Sequence, residues 1–162
     1  MGSGKRSISV VSTLVAYFSV EGTTEKIAQQ FADRIRAEVF EIKPRKPYSE
    51  LDILWVNPLA RVNQERFFKR DVPAIGRVPG FRMYDCVYLG FPIWFESVPR
   101  AVITFCKRYD WTGKVVHIFV TSDTTGVGGI KTELKPYLNG AAYVDAKLVK
   151  DVSEVGSLSL YG

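Results

Sequence analysis

Five short runs rich in β-branched and aromatic residues, at 8–18, 38–42, 86–91, 115–120 and 143–149, alternate along this chain with stretches of helical spacing. The runs at 86–91 and 115–120 are apolar almost throughout rather than alternating, the pattern of strands covered on both faces. Behind the first run, Ile27, Ala28, Phe31, Ala32 and Ile35 form one apolar stripe within a predicted helix at 24–36. Ser97-Val98-Pro99 opens a second helix, with Val98, Ala101, Val102, Phe105, Cys106 and Tyr109 on one side, and a third is predicted near 130–138. Strands and helices in this alternation predict an α/β fold, a doubly wound parallel sheet of five strands. Residues 48–80 are the least regular part, and a helix around 63–69 is expected within that proline-punctuated excursion.

At 162 residues the chain has the length of one domain, expected over 7–162, with 1–6 read as a tag or a disordered N-terminus. Its 46% hydrophobic content is enough for a sizeable core. The net charge is +5, but Lys and Arg are scattered, and the densest cluster, Lys43-Pro44-Arg45-Lys46, is short and broken by proline. Nucleic acid wants a basic stripe with stacking groups along it, so no nucleic-acid partner is expected. Cys86 and Cys106 both sit in apolar surroundings, which argues against a disulfide framework. With the single histidine they cannot supply the four ligands of a structural zinc site, and no metal is expected. That histidine, His117, lies inside an apolar run and reads as a core residue. The run at 8–18 contains Ser9, Ser12 and Thr13 and is followed by no small-residue cleavage site. No stretch approaches the roughly 18 apolar residues of a membrane span, and a cytoplasmic protein is the expectation.

In doubly wound sheets, ligands bind beyond the carboxyl ends of the strands, near the topological switch. After the first run stands Ser19-Val20-Glu21-Gly22-Thr23-Thr24, a hydroxyl- and glycine-rich turn leading into a helix N-terminus, where unpaired N–H groups and the dipole favour an anion. The same residues would equally serve ordinary capping by Thr23 or Thr24. The turn has neither the Gly-Lys of a P-loop nor a GxGxxG. After the third run, Pro92-Ile93-Trp94-Phe95-Glu96-Ser97 sets two large aromatics side by side on a loop. After the fourth, Thr121-Ser122-Asp123-Thr124-Thr125-Gly126-Val127-Gly128-Gly129 is polar and glycine-rich. Three such loops at one sheet edge describe a phosphate pocket beside a flat-ring pocket, and a phosphorylated aromatic ligand would satisfy both. An acidic cluster is missing after the first run, where Tyr17-Phe18-Ser19 stands, and neither cysteine heads a phosphatase loop.

Thr13-Leu-Val-Ala-Tyr-Phe-Ser19 with Gly22-Thr-Thr24 looks like the first strand and phosphate loop of flavodoxins. Tyr84-Asp-Cys-Val-Tyr-Leu-Gly-Phe-Pro-Ile-Trp-Phe95, followed by Pro99, is similar to their third strand and flavin loop, and Phe119-Val-Thr-Ser122 with Gly126-Val-Gly128 to their third loop. From about residue 12 to 149 the chain resembles that family, and is closest to its short members with a Pro-Ile-Trp motif. The resemblance implies the strand order 2-1-3-4-5 and noncovalent FMN. Residue by residue, it implies that Ser19, Gly22, Thr23 and Thr24 hold the phosphate, with backbone N–H groups from Val20 and Glu21. It sets Pro92, Ile93, Trp94, Phe95 and Glu96 along the isoalloxazine, with Trp94 as ring neighbour. Thr121, Ser122, Asp123 and Thr124 would follow its polar edge and ribityl chain. No side chain is implied as a catalytic acid or base, because the cofactor carries the chemistry.

The chain also departs from that pattern. Asp123-Thr124 stands where the short members often have two glycines, which would reshape the pyrimidine side of the pocket. Glu96 stands where glycine is frequent, and a carboxylate facing the flavin would disfavour its anionic reduced form. At 147–162, Gly156 and three serines leave no sustained helical stripe, which speaks against the family's closing C-terminal helix. An irregular tail or a second subunit would then cover that sheet face, and a homodimer is expected. The function implied is an FMN-binding redox protein that passes electrons to a redox partner protein or a small electron acceptor. The alternatives are an FMN-dependent NAD(P)H/quinone-type reductase and a flavin-free binding module on the same fold.

Overall fold

Strand β1 (Thr13–Tyr17) passes through helix α1 (Thr23–Ile35) to β2 (Glu38–Glu41), in a computed structural model that describes residues 12–46, 49, 60, 61, 65, 73–93, 97–121 and 127–156. Then follow β3 (Cys86–Pro92), α2 (Arg100–Arg108), β4 (Val115–Thr121), α3 (Gly128–Leu134), β5 (Tyr143–Leu148) and the single turn α4 (Val152–Val155). The five strands pair in parallel in the order β2-β1-β3-β4-β5, as the resemblance implied. Outside this sheet, Lys43–Pro44 and Ala74–Ile75 form a small antiparallel ribbon that had no signature in the sequence. Of the first predicted strand, residues 8–11 lie outside the described part. So does the helix expected at 63–69, apart from Glu65.

Because side chains alternate across a strand, the register sorts the core into two layers. Leu14, Ala16, Val87, Leu89, Phe91, Val116, Ile118 and Val120 face α2 and α3, where Val102, Phe105, Ile130 and Leu134 meet them. Val15, Tyr17, Cys86, Tyr88 and Phe119 face α1, whose stripe of Ile27, Ala28, Phe31 and Ala32 packs onto them. Gly90 lies directly opposite Phe119 in the β3–β4 register, and a Cβ there would stand 2.1 Å from the Phe119 ring. The glycine in an otherwise bulky strand is therefore the space that the neighbouring ring fills.

The second layer also carries polar groups. His117 is fully buried, as its apolar run suggested, and lies between Tyr88 and Asp145 in one row across the sheet. Its Nδ1 stands 2.7 Å from Asp145 Oδ1, while Nε2 and the hydroxyl of Tyr88 are buried with no hydrogen-bond partner among the described residues. At the amino edge, Lys114 is buried and its Nζ donates to the carbonyls of Phe81, Arg82 and Tyr84 at 3.1, 3.5 and 2.5 Å. It thereby ties the 3₁₀ turn Phe81–Met83 to the start of β4.

The tail differs from expectation. Among the described residues the tail has a helix of one turn: Asp151 accepts the N–H groups of Ser153 and Glu154 and starts the turn α4, and Gly156 stands at its end. Val155 and Val149 are buried in the layer beneath α1 and α4. The chain thus covers this face itself, and among the described residues only Met83 and Tyr143 are large hydrophobics left exposed.

Candidate functional site

The end of β1 is held from both sides: Phe18 N donates to Gly90 O at 2.9 Å and Ile42 N to Tyr17 O at 2.7 Å. Beyond it the chain leaves the sheet through Ser19, Val20 and Glu21, and Gly22 turns at φ 97, ψ −11 to start α1. An L side chain is strained at that φ, although nothing lies within 4 Å of where its Cβ would stand. Ser19 Oγ accepts the Gly22 N–H at 3.1 Å and closes the turn. Glycine at the cap position offers no side-chain acceptor to the helix. Thr24 is turned inward and buried, with its hydroxyl 2.6 Å from Thr121 Oγ1, while Thr23 is exposed. Capping by Thr23 or Thr24 therefore does not account for this turn. What it presents is a helix N-terminus with no side-chain cap, where partial positive charge favours an anion.

Beneath the turn, Tyr17 Oη donates to Glu25 Oε2 at 3.1 Å and accepts from Gln29 Nε2 at 3.4 Å. Burial, reinforced by Glu25, pushes its phenol up to about 12. Glu25 is the acidic residue of the first helical turn, and this bond engages its carboxylate with the body of the protein.

Strands β3 and β4 end in register, Pro92 opposite Thr121. Thr121 is where the ends of β3 and β4 and the start of α1 meet. Its carbonyl accepts the Ile93 N–H at 3.4 Å, and its hydroxyl pairs with Thr24. Ile93 is buried and Pro92 half-buried, Val20 is packed on the core, and Glu21 is exposed. Trp94, Phe95, Glu96, Ser122, Asp123 and Thr124 lie outside the described residues, so the structure joins Ser19, Gly22, Thr24, Ile93 and Thr121 at the sheet's carboxyl edge and is silent on the rest.

On the far side of residues 94–96, Ser97 Oγ donates to both carboxylate oxygens of Glu133, at 3.1 and 2.8 Å, and Val98 N donates to its Oε1 at 2.9 Å. Sequence reasoning missed Glu133, since nothing in local spacing relates a residue of α3 to a loop 36 positions earlier. Among the described residues no group of three His, Cys, Asp or Glu side chains could hold a metal ion, and no helix is long and apolar enough to cross a membrane.

The family model for flavodoxins matches residues 12–159. Among solved structures, a candidate flavoprotein from Bacteroides eggerthii DSM 20697 is 28% identical, with a TM-score of 0.83 over 91% of this chain and 95% of the other. One from Bacteroides uniformis ATCC 8492 is 30% identical, with a TM-score of 0.80 over 91% and 96%. A flavoprotein of Lactobacillus acidophilus NCFM, solved in complex with FMN, shares the fold at 22% identity and a TM-score of 0.66, over 91% of this chain and 97% of the other. No curated protein matches the sequence. The family match starts at the first strand and runs past the last, over a sheet whose order is the one expected of it, and the chain belongs to the flavodoxin family.

Proposed function

We propose that this protein binds FMN without a covalent bond and passes electrons between it and a redox partner protein or a small acceptor. The observation that carries the reading is the N-terminus of α1, which no side chain caps, which opens at Gly22 and which is tied through Thr24 and Thr121 to the ends of β3 and β4. A phosphate there would take the first-turn N–H groups, together with those of Val20 and Glu21. Ser19 Oγ already accepts from Gly22, so its own proton can be given to a phosphate oxygen, and Thr23 stands exposed beside it. Pro92, Ile93, Trp94, Phe95 and Glu96 would border the ring, with Trp94 nearest, and Thr121, Ser122, Asp123 and Thr124 would follow its polar edge. FMN, when bound, supplies reversible uptake and release of electrons, and the surrounding residues orient it and exclude water. The L. acidophilus complex with FMN supports the reading through the shared fold. Two buried, unpaired thiols suit a reducing, cytoplasmic compartment.

Parallel titration of the apoprotein with FMN and riboflavin tests the proposal. Two charge-assisted hydrogen bonds to phosphate, at about 1.5–3 kcal/mol each, should make FMN bind at least ~100-fold tighter than riboflavin. Equal affinities would place the recognition elsewhere, and failure to retain either flavin would leave a binding module on the same fold. Potentiometric titration of the bound flavin then separates the electron carrier, with a one-electron Nernst slope, from a two-electron reductase.

A further inference from the structure

We infer that Glu133 is a positioning residue for the loop after β3, and this rests on the flavin reading above. Glu133 lies in the last turn of α3, where the dipole of its own helix disfavours a carboxylate. Its engagement is elsewhere: both of its oxygens are used by Ser97 and Val98, the residues just ahead of α2. Helix α2 has Pro99 as its N-cap residue, which offers no side-chain cap, and has no acidic residue in its first turn. The Glu133 carboxylate therefore anchors, from another helix, the two residues that lead into the α2 N-cap.

The consequence is geometric. Ile93, at one end of the three-residue segment 94–96, is bonded to Thr121 O, and Ser97 and Val98, at the other end, are bonded to Glu133. The first attachment is to the end of β4 and the second to α3, the next helix in the chain. The residue before the loop after β3 is thus held to β4, and the two residues that follow the loop are held to α3 by Glu133. The first loop has its own attachment through Thr24 and is untouched by Glu133.

That independence makes the role testable in the full chain. In Glu133→Ala, hydrogen exchange of the apoprotein should rise about tenfold or more in residues 93–98 and stay unchanged in α1. The bound flavin's visible spectrum and midpoint potential should move towards those of free FMN. FMN and riboflavin should weaken by the same factor, about tenfold, because the phosphate site is intact. Glu133→Gln, which keeps an acceptor for Val98 N–H, should restore most of each. Ser97→Ala removes the hydroxyl that is shared between the two carboxylate oxygens without altering α3, and carries the test if Glu133→Ala does not fold. Unchanged exchange at 93–98 would overturn the inference. Raised exchange with an unaltered flavin spectrum and potential would also overturn it, reducing Glu133 to a structural fastener. Raised exchange in a protein whose wild type takes no FMN would sustain the anchoring of the loop and overturn only the cofactor reading.

Discussion

At Gly22 the backbone turns through φ 97, and a methyl group there meets no neighbour, so the effect of alanine is backbone strain alone. That strain is about 1–2 kcal/mol for an L residue in left-handed space. If it is relieved by re-aiming the first turn of α1, Gly22→Ala should weaken FMN binding about tenfold while riboflavin changes less, which titration of the two ligands measures. A second expectation concerns pH. Burial pushes Tyr17 and Cys86 up to about 12 and raises Tyr88 and Cys106 as well. The folded state holds these protons after the unfolded chain has released them, so their stabilisation is complete below the ordinary thiol value of 9.0 and is lost as pH rises beyond it. Buried Lys114, whose pKa is lowered mainly by desolvation, has the opposite sign but is a single group. The thermal midpoint should therefore be level up to about pH 9 and fall above it, with both thiols unreactive to alkylation until then. Ser19 and Gly22 were readable from the sequence because a turn into a helix needs those residue types. The pairing of Thr24 with Thr121, 97 positions away, was not, because a buried hydroxyl pair exists only once the strands are in register.

Elements were legible in proportion to the length of their apolar pattern. Strands β3 and β4 fall within one residue of the runs that announced them, because buried parallel strands leave continuous apolar text. Helix α1 ends at Arg36, a non-glycine residue at φ 54, so its boundary carries no glycine stop signal. The turn α4 is too short to show a stripe, and exists because Asp151 caps it and Val155 is buried beneath it. Within β3, Gly90 looks like a weak point by propensity, yet the Phe119 ring occupies the place of its missing side chain. Gly90→Ala must push a fully buried ring aside in a close-packed layer, and should cost about 1–3 kcal/mol in chemical denaturation with little change in slope.

For the whole molecule, charge is the property that reaches furthest. With a net charge of +5, the reduced protein should reduce an anionic acceptor such as ferricyanide several-fold faster at about 0.01 M than at 0.15 M ionic strength, as the Debye length shrinks from about 30 to 8 Å. A cationic acceptor should show the reverse trend in the same stopped-flow series. The sheet order was legible at this scale only through the family pattern, since apolar runs say that strands exist but not which are neighbours. That order has one more consequence. In β2-β1-β3-β4-β5 the outermost strands each leave one long side unpaired within the sheet. β2 carries Glu38 and Glu41 there, and β5 carries Lys147, charges that discourage a foreign strand from adding on. The two borders are unlike, so a molecule adding β2 to the β5 of its neighbour would make a head-to-tail contact that need not close, the geometry of a fibre. Charges on the two border strands thus guard colloidal behaviour, and substitution at Glu38, Glu41 and Lys147 is limited by solubility.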